Sequence, residues 1–548
     1  MNNANAIFNL KKAEKFVFIT GLLLCSFIKT DTVMDKTLTL RHIVWSVNTG
    51  ILVLLISYRA VLGGVDFGKL RRAMVLFFFC YLGVALCSYI KIINFGEWVY
   101  ECSKIFVMVI YFCAATLIFS DIKELAKPIT ILAIALCIYG LWSLQLVYRS
   151  LGITTDIATM GCKNSWAGTI LLFLPFCFTL LKEKGYWKAL AISAVLLILA
   201  NIFLSNARSA ILALIVSSIA VAVVFKPRYA IIIIGVFIVG VAVCYFATPD
   251  LYDDLTDTGS IRIRFTSWGQ SLTMVQDQFM VGAGNWRIAI ANYAKGFRNP
   301  YAFWKIYHIR PHNDFLWVLC EMSIIGLIIY LPIYGLSYFY TLRGRKYLVF
   351  MGLVGYTVTA FFAQPKERAF TCMLFCILLA LSVPAAQKIY TLSKEKVLVV
   401  LLVLLCLLGF ATYDFSVRYN IEKKCYKANI AHKNGLYKLI IKSLDKIPAL
   451  ATVDYYGVPY HFYRGLAYGM ENQPAESLQD YGYGYKANPN NIYNLSGLGE
   501  SFYYSNRHQK AIWCYARILE MRPNYEIATK NIKLIKEDME RKKPSRKD

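Results

Sequence analysis

VLVVLLVLLCLLGFATYDFSVRYNIEKK, residues 397–424, divides the chain in two. Positions 397–411 carry no charged side chain, whereas Asp414, Arg418, Glu422, Lys423 and Lys424 follow in quick succession. An apolar run of this kind approaches the ~30 Å of hydrocarbon that a membrane helix must cross. Before it, comparable runs recur from Phe16 onward; after Tyr413 the chain turns polar, tyrosine-rich and basic. The reading is a membrane body over residues 1–413 and a soluble domain over residues 414–548.

Apolar length sets about thirteen spans, beginning near Phe16, Ile43, Ala73, Lys104, Pro128, Ser165, Trp187, Ser209, Ala230, Phe315, Tyr347, Ala369 and Val397. The predicted fold is all-α, a polytopic helical membrane protein with a large extracytoplasmic loop at 248–314 and a C-terminal helical-repeat domain. With 57% hydrophobic and 17% charged residues in 548, an ordinary soluble protein is excluded. The net charge of +26 would point to nucleic acid in a soluble chain, but here most cations sit in short loops between apolar runs, so no nucleic-acid partner is implied.

Alternating the loops gathers Lys11/Lys12/Lys15, Lys69/Arg71/Arg72, Lys123/Lys127, Lys182/Lys184/Lys188, Lys226/Arg228, Arg343/Arg345/Lys346 and Lys388/Lys394/Lys396 on one side. Roughly twenty cations fall there, against roughly half as many in the short loops of the other, which assigns that side to the cytoplasm. The N-terminus is then cytoplasmic, and the 248–314 loop and the C-terminal domain are periplasmic in a bacterium. The first segment follows three lysines like a signal peptide, but no small-x-small cleavage site follows it, so it reads as a retained helix.

Most of the fifteen cysteines lie inside apolar runs without metal-ligand spacing and read as packing. Cys425 and Cys514 fall in the soluble domain, and whether they pair depends on the fold. In that domain Gly465, Tyr481, Pro489 and Asn490 are repeated at Gly499, Tyr515, Pro523 and Asn524, a 34-residue offset that is the tetratricopeptide period. Its Tyr455, Tyr456, Tyr481, Tyr483 and Tyr485 either face out to stack on a sugar or hold a partner protein, or fill interhelical space.

The 248–314 region reads GSIRIRFTSWGQSLTMVQDQFMVGAGNW over 259–286 and leads to HIRPHNDFLWVLCEMSIIGL over 308–327. Arg208 and Arg264 carry permanently charged, bidentate guanidinium groups suited to a dense anion at a membrane surface; an arginine at a helix end also snorkels to headgroups. His312, at the mouth of an apolar helix, is placed to accept a proton from a hydroxyl or merely to shape the helix start. His308 lies one turn earlier, Arg310 can supplement the cation pair, Lys305 can face headgroups, and the Gln364–Arg368 cluster either forms an exposed turn or lets Glu367 orient His312 or a substrate hydroxyl. Gly282 to Trp286 lacks the Lys-Ser/Thr of a nucleotide-phosphate loop. Asp253, Asp254 and Asp257 lack the separated Asp-x-Asp of metal-dependent sugar-nucleotide transferases, so neither metal nor cofactor is expected.

Arg264 four residues before Trp268, the turn of Gly282, Gly284, Asn285 and Trp286, His312-Asn313 opening a helix, and SNARSAILAL over 205–214 together resemble the O-antigen ligase superfamily. The resemblance covers roughly Leu180 to Tyr330. It implies glycan transfer from undecaprenyl diphosphate in the periplasm to lipid A-core, a growing glycan or a protein, with Arg208, Arg264 and His312 catalytic and Asn313 and Trp268 binding substrate. Ser323 stands where the ligase pattern has its first glycine; Gly326 keeps the last position. A flippase would call for interrupted helices and symmetric halves, which the sequence does not show. An assembly protein would leave Arg208, Arg264 and His312 without a task.

Overall fold

The computed structural model describes residues 3–33, 35–149, 159–225, 259–280, 282–293, 310–386 and 388–541. Within them the chain is helical, apart from an isolated β-bridge between Val453 and Pro459. The body begins with α1 (Asn3–Phe27), α2 (Thr39–Val61), α3 (Ala73–Cys87), α4 (Phe95–Ile118) and α5 (Lys123–Arg149). Next come α6 (Lys163–Leu171), α7 (Leu174–Leu180), α8 (Tyr186–Leu204) and α9 (Arg208–Phe225). It continues with α10 (Gly259–Gln278), the one-turn α11 (Trp286–Ala289), α12 (Asp314–Arg343), α13 (Tyr347–Phe362), α14 (Ala369–Ser382) and α15 (Lys394–Lys433).

Eight described helices, α2, α3, α4, α5, α8, α9, α12 and α15, are long and apolar enough to cross a membrane; α13 and α14 are shorter and apolar. The chain is a helical membrane protein. The span expected near Ala230 lies outside the described residues. The one expected from Ser165 is split between α6 and α7, where Pro175 in the first turn of α7 has no amide hydrogen for the preceding ladder. The first helix starts at Asn3, well before Phe16, and takes Lys11, Lys12, Glu14 and Lys15 into its own length.

Two helices run antiparallel and define the ends of the bundle. Phe225, ending α9, meets the rings of Tyr347 and Phe350 at the start of α13. Arg208, opening α9, therefore shares the other end with Gln364–Arg368, just past α13. At the Phe225 end, Lys69 donates to the carbonyls of Thr116 (3.3 Å) and Phe119 (3.2 Å), and Lys346 to that of Leu381 (2.7 Å). Cations thereby satisfy carbonyls that helix ends leave open.

The 40-residue α15 crosses position 413 without a break, having Gly409 as its sole glycine and no proline. The boundary expected there falls inside a helix: the change from apolar to polar residues alters what surrounds the helix and leaves its hydrogen-bond ladder intact. Beyond it lie α16 (Tyr437–Ser443), α17 (Tyr460–Met470), α18 (Pro474–Ala487), α19 (Ile492–Tyr504), α20 (His508–Met521) and α21 (Glu526–Arg541). Helices α17 and α18 pack as one pair and α19 and α20 as another. Asn472 and Asn506, 34 residues apart, take the same left-handed backbone (φ 58° and 56°) in the turn of each pair. Gln473 N to Tyr468 O (2.9 Å) and Arg507 N to Phe502 O (2.8 Å) then close the two turns alike. Tyr481 is buried against Phe462 and Leu498, so it fills interhelical space. Cys425 and Cys514 are buried free thiols.

Candidate functional site

Asn206, with left-handed backbone (φ 49°), turns the chain from α8 into α9, and Arg208 is the first residue after that corner to be helical. Arg264 projects from the second turn of α10, partly buried. Burial, and then the neighbouring charge of Arg208, hold its guanidinium below the usual range. A bound anion would offset both influences and accept hydrogen bonds from the guanidinium.

Trp268, one turn further along α10, donates its indole N–H to Pro311 O at 2.9 Å and sets its ring on Phe361 and Phe362. It thereby ties α10 to the segment that carries His312. His312 is half-buried with φ 54°, and Asn313 caps α12 by accepting the amide of Leu316 at 2.9 Å. Asn313, expected to bind substrate, uses its side-chain oxygen for the cap. His308, Lys305, Asp253, Asp254 and Asp257 lie outside the described residues.

Arg310, expected to supplement the cation pair, holds Glu367, which was expected to orient His312 or a substrate hydroxyl or to lie in an exposed turn; the turn is largely buried instead. Arg310 Nε donates to Glu367 Oε2 at 2.6 Å and Nη2 to Oε1. Burial pushes the Glu367 carboxyl up, but the Arg310 guanidinium more than offsets this and holds it well below the usual carboxylate range. A carboxylate 1% exposed keeps its charge only against such a partner. Glu367 therefore orients Arg310, and Arg310 adds little net charge to the Arg208–Arg264 pair. The guanidinium also lies over the rings of Trp317 (5.3 Å) and Tyr455 (5.2 Å).

Residues 192–331 match the O-antigen ligase family model. No curated protein matches the chain. The stretch similar to O-antigen ligases contains Arg208, Arg264, Trp268 and His312, and the rest of its pattern has a structural explanation. Ser323, at the ligase glycine position, has φ 66° and ψ −176°, a backbone that glycine alone adopts without strain. It breaks α12, and the loop before α11 takes up the backbone groups set free: Ala283 N donates to Cys320 O at 2.7 Å and Ile324 N to Phe279 O at 3.3 Å. Gly282 (φ 75°) lies so close to this break that a Cβ would stand 2.5 Å from Glu321 O. The ligase turn thus seals a helix interruption that the sequence reading did not expect. Asn285 accepts from the amides of Ile93 (3.1 Å) and Asn94 (2.8 Å), and Trp286 donates to Ser271 Oγ at 3.0 Å.

Several contributors lie outside the residues expected to act. Asp314 is fully buried, with one oxygen accepting from Lys366 N at 3.0 Å and the other making no hydrogen bond among the described residues. Its signal in the sequence was only its place beside Asn313. Lys366 sets its ammonium over the Trp317 ring at 4.0 Å. Glu97, opening α4, pairs with Arg287 of α11 and, at 2.7 Å, with Arg418 of α15. Arg287 also donates to Tyr455 O at 2.8 Å, and Asn490 to Ile288 O at 3.1 Å. The chain beyond α15 is therefore clamped to α11 and its neighbours. Among the described residues no group of three or more His, Cys, Asp or Glu is arranged to hold a metal.

Proposed function

We propose that the protein transfers a glycan from an undecaprenyl diphosphate carrier to an acceptor hydroxyl, on the periplasmic face of the bacterial inner membrane. The family match supports glycan transfer in polysaccharide biosynthesis. The observation that carries the finer reading is Arg264 lying under the charge of Arg208, at the end of the bundle that also holds His312. The diphosphate docks on the two guanidiniums. As the bond between the sugar anomeric carbon and the diphosphate oxygen breaks, they stabilise the charge growing on the leaving phosphate. The acceptor oxygen forms the new bond to that carbon, and its proton passes to the His312 imidazole.

Because permanent cations supply the charge, the reaction needs no metal ion or cofactor. A ligase acting on lipid A-core stands first among acceptors, with a growing glycan or a protein as the other classes, recruited through the C-terminal repeats. The two helix interruptions, at α6–α7 and at Ser323, would also suit a flippase. The break at Ser323, however, is closed by protein backbone, and the polar residues cluster at one end of the bundle. The test is transfer from a synthetic undecaprenyl diphosphate glycan with EDTA present. Arg264→Ala and His312→Ala should each lower turnover, Arg264→Ala by about a hundredfold to a thousandfold. Turnover indifferent to both would defeat the assignment.

A further inference from the structure

We infer that Tyr455 of the C-terminal domain is a positioning residue of the transfer site, so that this domain completes the site and does more than recruit to it. The inference rests on the transfer reading above.

Tyr455 stands at the tip of a short, heavily cross-bonded loop. Asp454, fully buried, accepts from the amides of Tyr456 (2.8 Å) and Val458 (2.9 Å) and from the Tyr463 hydroxyl (2.7 Å). Its own amide donates to Val458 O at 2.9 Å, and Val453 pairs with Pro459 across the loop. A loop tied by this many internal bonds holds its tip in one place. From that tip the ring reaches Arg310 and the carbonyl reaches Arg287, so the two segments flanking the undescribed part of the loop are touched by one residue.

The consequence for His312 follows from the backbone. Its φ of 54° is disfavoured for any residue with a Cβ and persists only where both sides are held. On one side Trp268 holds Pro311 O and Asn313 caps α12. On the other, Arg310 has its donors fixed by Glu367 and its π contacts supplied by Trp317 and Tyr455. Four of the holding groups, Trp268, Asn313, Glu367 and Trp317, belong to the membrane body; Tyr455 does not. Losing its ring frees Arg310 to swing and lets the backbone at His312 relax. Arg208 and Arg264, on α9 and α10, keep their places, so donor binding should survive while the chemical step slows.

The experiment uses the full-length protein in lipid nanodiscs, with Tyr455→Ala, Tyr455→Phe, Tyr455→Leu and, as a control, Tyr504→Ala, whose side chain is exposed in the second repeat. Steady-state transfer from the synthetic donor is measured together with hydrogen exchange of the amides at 312–317. Tyr455→Ala and Tyr455→Leu should lower kcat by about tenfold to a hundredfold at unchanged donor KM. Both should also speed exchange at 312–317. Tyr455→Phe, which keeps the ring, should restore kcat and protection, and Tyr504→Ala should match wild type. The leucine variant fills the space without a π face, so it decides the matter even if the alanine variant fails to fold. Wild-type kcat in the leucine variant, a loss in phenylalanine equal to that in leucine, or a change in donor KM alone would overturn the inference. A wild type that transfers to no acceptor would defeat the transfer reading instead. The exchange data would then still judge the positioning, with unaltered exchange in the leucine variant sinking it.

Discussion

The arginines where the body meets the C-terminal domain and the arginines at the start of α9 and α10 are placed by opposite rules. At the seam Arg287 and Arg418 share Glu97, Arg310 holds Glu367, and Arg368 reaches Asp35 at 3.3 Å and Thr37 Oγ1 at 2.7 Å. Each guanidinium there is buried against a carboxylate, Arg287 and Arg418 sharing one. At α10, the neighbouring charge that acts on Arg264 is another cation, Arg208. The seam arginines, which also press on one another, are offset by carboxylates inside the fold, whereas at Arg264 burial and the charge of Arg208 both disfavour the cation, and a bound anion would offset them.

Four substitutions or conditions probe that contrast. Glu97→Gln leaves Arg287 and Arg418 buried without their counter-charge. It should cost about 3–5 kcal/mol of stability, read by denaturant unfolding in detergent. Arg264→Gln should do the reverse, holding the melting temperature while turnover falls by an amount equivalent to about 3–4 kcal/mol. If it lowers the melting temperature, Arg264 belongs with the scaffold and the contrast fails. Acid is the third probe. Because Arg310 holds the folded Glu367 carboxyl below its unfolded value, the pair's contribution is fully present above the unfolded carboxylate pKa of about 4.3 and is lost as pH falls below it. Glu367→Gln should remove that part of the acid dependence, seen as a flatter melting profile below about pH 4. The smallest effect belongs to Ser323→Gly, which should raise stability by about 1 kcal/mol by relieving the left-handed backbone. An unchanged or lower melting temperature would show that the hydroxyl, accepting from Ile325 N at 3.2 Å, matters more than the strain.

Much of the body was legible because apolar length and the positions of charges act locally: the starts of α3, α9, α12, α13 and α14 fall within a few residues of those read from the sequence. The 34-residue offset was visible in the sequence, and Asn472 and Asn506, that far apart, share one backbone conformation. Arg208, Arg264 and His312 were read from the loop alternation as lying on one face; the packing of α9 on α13 and of Trp268 on Pro311, Phe361 and Phe362 puts them at one end of the bundle. The partners of Arg310, Glu367, Arg287 and Glu97 were not legible, since the pairs are 57 and 190 residues apart and depend on which loops the bundle brings together. The burial of Tyr481 and the contact of Tyr455 with Arg310 were hidden for the same reason. The break at Ser323 left no mark in hydropathy, because the residues on either side of it stay apolar.

Helix α15 runs from the apolar body into the C-terminal domain as one rod of 40 residues, about 60 Å at 1.5 Å per residue. Such a rod has no joint, so it fixes bearing as well as height. Each added residue would turn everything downstream by about 100°, and seven would bring the bearing almost back while lifting the domain about 10 Å. The compass heading of Tyr455 around the bundle is therefore written in the residue count of a single helix, and that count is not free to drift.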